Sequence, residues 1–216
     1  MPEPSRGGGR EALVVAVTGG IGAGKTSFCD ALASLPGVRV LDADAAAHRS
    51  LAEDAAVGRA VRDRFGPGIL DVWGAIDRAR LAEIVFRDAG ARRDLEAIVH
   101  PAVQRELARE VDRLRRTEGV AIVLVQIPLL AEIGVPAWCD RVVTVETGAG
   151  VRRERARAAD RDPQEIDRRL AVQATEADRR AIADEVVIND GDRSSLTRAA
   201  RGLFETWRCL QEGGER

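Results

Sequence analysis

A short apolar run, Leu13-Val14-Val15-Ala16-Val17, leads directly into Thr18-Gly19-Gly20-Ile21-Gly22-Ala23-Gly24-Lys25-Thr26, and no other feature constrains the chain as strongly. The pattern G-x-x-x-x-G-K-[ST], placed after a buried strand and before a helical stretch from Ser27 to Ser34, is a phosphate-binding loop in its proper context. Glycines let the backbone curl until successive N–H groups point inward, and the helix that follows adds its positive end. In that arrangement Gly20, Ile21, Gly22, Ala23 and Gly24 surround the phosphates. Lys25 reaches the outer ones and Thr26 offers its hydroxyl to magnesium. A nucleotide polyphosphate is therefore the first ligand to expect.

The remaining apolar runs extend this start into a fold. Leu13 to Val17, Ala121 to Val125 and Val142 to Val145 are aliphatic without alternation, as strands buried on both faces are. Arg39-Val40-Leu41 and Val186-Val187-Ile188 are shorter runs of the same kind, and helical segments separate them all. The expectation is an α/β three-layer sandwich with a parallel central sheet. Ligands of such sheets sit beyond the C-terminal strand ends. The phosphate loop, Asp42-Ala43-Asp44, Pro128-Leu129-Leu130 and Asn189 all follow strands and are expected along that one edge.

The stretch from Ala45 to Thr117 is too long for one crossover and reads as a mainly helical insert. It has breaks at Phe65-Gly66-Pro67-Gly68 and Trp73-Gly74, and helices near Asp77 to Arg87 and Pro101 to Arg116. The expected division is a nucleotide-binding core of 11–44, 118–150 and 177–210, an insert of 45–117, and a lid with its connecting helix at 151–176. A closing helix runs from Ser194 to Cys209, and Gln211 to Arg216 should fray.

With 33 Lys+Arg against 35 Asp+Glu, the formal charge of -2 advertises no nucleic-acid partner. No run approaches a membrane span and the first ten residues lack the apolar segment of a secretory signal, so a cytoplasmic protein is expected. A monomer is the default, since no extended apolar repeat advertises an interface. Cys29, Cys139 and Cys209 are too widely spaced for a zinc site or a disulfide framework and read as packing residues.

Phosphoryl transfer needs neutralised charge, an oriented acceptor and exclusion of water. Asp44 is the candidate for deprotonating an acceptor hydroxyl, because it follows a strand whose end is expected beside the phosphate loop. Asp42 either meets magnesium-bound water or caps the next helix. Arg161 lies in a charged segment suited to closing over a nucleotide; Arg155 and Arg157 compete with it, and spacing does not choose among them. His100 precedes Pro101 at an expected helix start, where it caps the helix, packs beneath the insert or binds an anionic group. Leu129 lies either in a packed strand terminus or in a substrate wall. Asn189 opens a turn with Asp190-Gly191 or reads a base edge.

Taken together these elements resemble the dephospho-coenzyme A kinase family. The resemblance rests on Thr18 to Thr26, Leu41-Asp42-Ala43-Asp44, Ile76-Asp77-Arg78, Leu95-Glu96-Ala97-Ile98-Val99-His100-Pro101, Pro128-Leu129-Leu130-Ala131-Glu132, Arg161-Asp162, Gln173, Ala183-Asp184 and Asn189-Asp190-Gly191, across roughly residues 13 to 205. It implies ATP as donor, Mg2+ bridging phosphate oxygens, and dephospho-coenzyme A phosphorylated on its ribose 3'-hydroxyl. By the same resemblance Asp44 is the base, Thr18 and His100 position the acceptor, the insert receives its pantetheine arm, Arg161 belongs to a mobile lid, and Asn189 lies near the nucleotide base. The alternative is another small-metabolite or nucleoside kinase with the same phosphate grip. Ala131 stands where the family commonly has a larger apolar residue.

Overall fold

In the computed structural model, residues 11–158 and 173–213 are described. The sheet has five strands in the order β2-β3-β1-β4-β5: β1 (Leu13–Gly19), β2 (Val38–Asp42), β3 (Ile122–Gln126), β4 (Arg141–Glu146) and β5 (Glu185–Ile188). β1 pairs in parallel with β3 and β4, and β4 with β5, in a register that sets Gly19 opposite Val145. All five aliphatic runs are strands, and the three longest are central. Every residue of β3 is buried, as are all but the first of β1 and β4, whereas β2 and β5 have exposed positions as edge strands do.

Helices cover both faces. Val15, Val17, Ile122, Leu124, Val143 and Val145 form one core with Phe28 and Leu32 of α1 (Lys25–Ala33) and with Leu196, Phe204 and Trp207 of the C-terminal helix, α9 (Arg193–Gly213). Their neighbours Val14, Ala16, Val123, Val125 and Val142 point the other way and are equally buried. α6 (Leu130–Ile133) and α7 (Ala149–Ala158) follow β3 and β4, and α8 (Glu176–Ala181) packs against β1 and β4. α9 runs past the expected frayed end: Gln211 still donates to the carbonyl of Ala121 at 2.9 Å.

The chain divides into two compact units, one of Met1–Leu41 with Val111–Arg216 and the other of Asp42–Glu110. The second holds α2 (Ala43–Glu53), α3 (Ala55–Phe65), a short 3-10 turn (Pro67–Ile69) and α4 (Arg78–Arg87). Carboxylates start its helices: Asp42, Asp54 and Asp77 each accept backbone N–H groups at a helix N-terminus. The breaks at Gly66-Pro67 and Trp73-Gly74 are real turns, the latter closed by an antiparallel bridge between Leu70 and Ile76.

One expected boundary is wrong. Pro101 starts no helix; it lies inside α5 (Ala89–Arg115), a single helix of 27 residues. A proline there removes one backbone hydrogen bond at a cost of about 3 kcal/mol. Val99, Ala102, Val103, Leu107, Val111 and Leu114 nevertheless form one buried stripe across it. At roughly 1.5–3 kcal/mol per buried aliphatic side chain, that stripe outweighs the defect.

Trp207, fully buried and donating through Nε1 to Glu185 at 3.2 Å, anchors α9 to the sheet. Replacing it with Ala should destabilise the protein by about 3–5 kcal/mol. Trp207→Phe, which keeps an aromatic ring, should lose clearly less. Urea unfolding of both variants checks this, and equal losses would show that a phenyl ring recovers nothing of what the indole supplies.

Candidate functional site

β1 ends where its backbone passes against β4. Gly19 has φ 146°, and a Cβ there would collide with the carbonyl oxygen of Val145, so only glycine lets the strand turn out of the sheet. The loop then enters α1 through Gly24 in a left-handed conformation, φ 98°. α2, α3, α4 and α8 each have a side chain accepting first-turn N–H groups; α1 has no side-chain cap and no acidic residue in its first turn. Its N–H groups and the positive end of its dipole are thus available to an anion. Lys25 arches back over the loop and donates from Nζ to the carbonyls of Gly19 and Gly20, at 2.8 and 3.1 Å. Thr26 sits in the first turn of α1, where its hydroxyl suits a magnesium ion that takes its other ligands from phosphate and water.

The loop is held from outside by groups on other elements. Asn189, at the end of β5 and 5% exposed, donates from Nδ2 to the carbonyl of Ala23 at 2.8 Å. Arg155 of α7 donates to Asn189 Oδ1 at 3.3 Å and to the carbonyl of Gly191 at 3.2 Å. The N–H of Ile21 donates to Gln173 Oε1 at 3.1 Å, and the amide after Gln173, that of Ala174, donates to Glu132 Oε1 at 2.8 Å. Arg152 and Arg179 both approach Gly20, each with Nη2 3.2 Å from where a Cβ would stand.

Arg179 is fixed by Glu146. Both side chains are almost fully buried, and they share two hydrogen bonds, Nε to Oε1 at 2.6 Å and Nη2 to Oε2 at 2.7 Å. Nη1 donates to the carbonyl of Ala174 at 2.5 Å, and Thr144 donates to Glu146 Oε1 at 2.7 Å. Burial alone would raise the Glu146 carboxyl, but the hydrogen bonds from Arg179 and Thr144 and the charges of Arg179 and Arg152 outweigh it and hold it below its ordinary value. The hydrogen bonds that Arg179 donates to Glu146 likewise raise Arg179 above its ordinary value, against desolvation.

The expected site residues fall into three groups. Thr18, Leu129, Asn189 and Gly20 to Thr26 belong to the first unit. Thr18 is fully buried with its hydroxyl 3.4 Å from the carbonyl of Pro128, and Leu129 begins α6. The Asn189 amide supports the loop backbone, which is more than a turn requires. Asp42, Asp44 and His100 belong to the second unit. Asp42 caps α2, accepting the N–H of Ala45 at 3.0 Å, so the capping role open in the sequence is occupied. Asp44 is exposed in the first turn of α2. His100 lies mid-helix, half-buried, and caps nothing. Arg161 lies outside the described residues, as does the side chain of Arg157. In the sheet, β3 lies between β2 and β1.

The sequence reading passed over Arg152, Arg179, Glu146 and Glu132 as parts of this site. Arg152 was one of several arginines in a dense run, and Arg179 and Glu146 are brought together only by the packing of α8 on β4. Burial and the neighbouring Asp140 push the Cys139 thiol up to about 12, away from the thiolate form that reacts. The second unit also carries an open cavity of about 430 Å³ between α2 and α5. There Arg49, Arg105 and Arg109 face Glu53, Asp54 and Glu106, so the charges balance. Among the described residues no helix is long and apolar enough to cross a membrane.

Comparison with known proteins agrees with this geometry. A family model described as dephospho-CoA kinase matches residues 13–195. The dephospho-CoA kinase of Symbiobacterium thermophilum is 38% identical over 205 residues, covering 94% of this chain and 84% of its own. That of Xanthomonas axonopodis pv. citri is 40% identical over 201 residues, covering 91% and 96%. Among solved structures, a Thermus thermophilus protein superposes with TM-score 0.75 at 31% identity, covering 91% of this chain and 98% of its own. The dephospho-CoA kinase of Campylobacter jejuni superposes with TM-score 0.61 at 25% identity, covering 90% and 96%.

Because Glu146 titrates below its ordinary value of 4.5 when folded, its contribution to stability is complete above that pH and is lost as pH falls through the folded value. Arg179→Ala, which strands a buried carboxylate, should cost about 3–5 kcal/mol at neutral pH, whereas Glu146→Leu with Arg179→Met should cost much less. Urea titrations between neutral and acid pH check both statements; a wild-type acid dependence no steeper than that of the double variant would show that the pair does not carry it.

Proposed function

The chain belongs to the dephospho-CoA kinase family, and from that premise we propose that it transfers the γ-phosphoryl group of ATP to the ribose 3'-hydroxyl of dephospho-coenzyme A, giving coenzyme A and ADP. The observation that carries the reading is the uncapped N-terminus of α1 beneath a glycine loop, in a chain matched over 13–195 to the family model. Such a loop grips a polyphosphate and does not by itself choose the acceptor, so the acceptor comes from the family.

Each residue has a role suited to a loose, charge-spreading transition state. The loop amides and Lys25 hold the phosphates in line with the acceptor; Lys25, now bonded to loop carbonyls, has only to swing its ammonium to the outer phosphates. Thr26 would hold a magnesium ion through its hydroxyl and Asp42 through a water molecule, and the ion would supply neutralisation of phosphate charge. Asp44 takes the proton from the acceptor hydroxyl. Thr18, His100 and Leu129 place the acceptor, Asn189 supports the loop on the side of the nucleotide base, and Arg161 follows the negative charge from the lid. The insert, 45–117, receives the pantetheine arm, and 151–176 closes over the nucleotide. The protein works as a cytoplasmic monomer.

The deciding experiment supplies protein, magnesium, ATP and dephospho-coenzyme A, and follows ADP and coenzyme A together by chromatography and mass. Equal, acceptor-dependent formation of both products is expected, with the new phosphate on the 3'-oxygen; ADP without phosphorylated acceptor would overturn the acceptor assignment. Asp44→Asn should lower kcat by about 10²–10⁴-fold with unfolding unchanged, as loss of a general base does. Near-normal turnover in the Asp44→Asn variant would remove Asp44 from that role. Lys25→Ala should weaken phosphate handling in the same assay.

A further inference from the structure

Arg152 stands in the first turns of α7, the helix that follows β4, and β4 is the direct neighbour of β1. The junction between β4 and α7 is pinned: Thr147 donates to the carbonyl of Asn189 and to Asp190 Oδ1, at 3.0 and 2.9 Å, and the N–H of Gly148 donates to the same Asp190 oxygen at 2.7 Å. From this fixed base the Arg152 side chain lies along the phosphate loop. Its Cγ is 3.1 Å from where a Cβ on Gly22 would stand, and its Nη2 is 3.2 Å from that of Gly20.

The two guanidinium groups beside Gly20 differ in how they are satisfied. Arg179 has its charge met by Glu146 and all three of its nitrogens hydrogen-bonded. Arg152 makes one bond, from Nη2 to the carbonyl of Thr147 at 3.0 Å; its Nε is buried and has no partner. Its charge reaches Glu146, but the hydrogen bonds of that carboxylate come from Arg179 and Thr144. Among the described residues no carboxylate pairs with Arg152. A guanidinium with spare donors, lying across the glycines of a phosphate loop, matches the geometry of a polyphosphate oxygen.

We infer that Arg152 is a direct ligand of the nucleotide polyphosphate, entering from α7 opposite Lys25, and that it sets donor affinity and leaves acceptor affinity alone. This rests on the nucleotide-binding part of the proposed function. Arg155, one turn further on, donates to Asn189 and to the carbonyl of Gly191, so it also positions the loop through Asn189.

The test is equilibrium binding by calorimetry, without acceptor, of Mg-ATP, inorganic tripolyphosphate and adenosine to the wild type, Arg152→Gln and Arg152→Lys, with thermal unfolding of each sample. Loss of a charge-assisted contact should weaken tripolyphosphate and Mg-ATP by about tenfold or more in Arg152→Gln, leave adenosine unchanged, and be partly rescued in Arg152→Lys. In turnover, KM for ATP should rise while KM for the acceptor stays within about twofold. Tripolyphosphate affinity unchanged in the Gln variant, or adenosine and tripolyphosphate weakened together, would overturn the inference and leave Arg152 as a packing or base-covering group. If Arg152→Gln does not fold, Arg152→Met, which keeps the apolar stem beside Gly22, decides by the same reading: tripolyphosphate weakened with adenosine unchanged supports the inference, and tripolyphosphate unchanged overturns it. Because no acceptor is present, a failure here is distinct from a failure to phosphorylate dephospho-coenzyme A.

Discussion

The buried pair of Glu146 and Arg179 is the contact on which the phosphate loop's support converges. Glu146 is the last residue of β4, the strand beside β1, and Arg179 sits on α8. Two carboxylate hydrogen bonds fix the guanidinium in its plane, and the third nitrogen then fixes the carbonyl of Ala174. That carbonyl adjoins Gln173, whose side chain receives the N–H of Ile21. The strand end, α8 and the loop are thereby tied in one chain of hydrogen bonds. A hydrophobic pair in the same place would serve stability as well or better, since desolvating two charges offsets much of their attraction. What it would not supply is direction: an apolar contact does not aim a carbonyl or an amide. A loop whose amides must converge on phosphate oxygens depends on that aim.

A second support reaches the loop from the end of β5. Asn189 at the end of β5 holds the carbonyl of Ala23, and Arg155 holds Asn189. Strands β4 and β5 and the helices after them therefore position a loop that belongs to β1. This follows from strand order: with β4 between β1 and β5, the loops after β4 and β5 emerge on one side of the glycine loop, and β3 occupies the other.

How much of this the sequence disclosed depends on the range of each interaction. The strands and the phosphate loop were legible because their signals are local: an unbroken aliphatic run buries both faces, and the spacing of glycines and lysine is itself the motif. Strand order was not, because a run such as Ala121 to Val125 does not say which neighbour it will pair with, and it is β3, from that run, that lies between β1 and β2. Pro101 misled for the opposite reason. Its local signal is strong, but a stripe of buried aliphatics reaching from Val99 to Leu114 overrides it. Asp42 shows the local case again, since the cap it makes on Ala45 is written three residues away in the chain. Glu146, Arg179 and Arg152 carry no spacing signature at all, because they meet across strand order and helix packing.

The glycines of the loop also take on a second meaning. In the sequence they signify backbone freedom, and at Gly24 the left-handed conformation bears that out. At Gly20 and Gly22 the limiting factor is space as well, since both face the Arg152 side chain. A methyl group at Gly22 would meet Arg152 Cγ at 3.1 Å, and that carbon belongs to the stem of the side chain, close to its helix and less able to withdraw than the guanidinium tip. A loop open to water on that face would restrict these positions by backbone conformation alone. Here α7 adds a steric restriction, and it does so with a cation whose charge reaches Glu146, a carboxylate already hydrogen-bonded to another arginine.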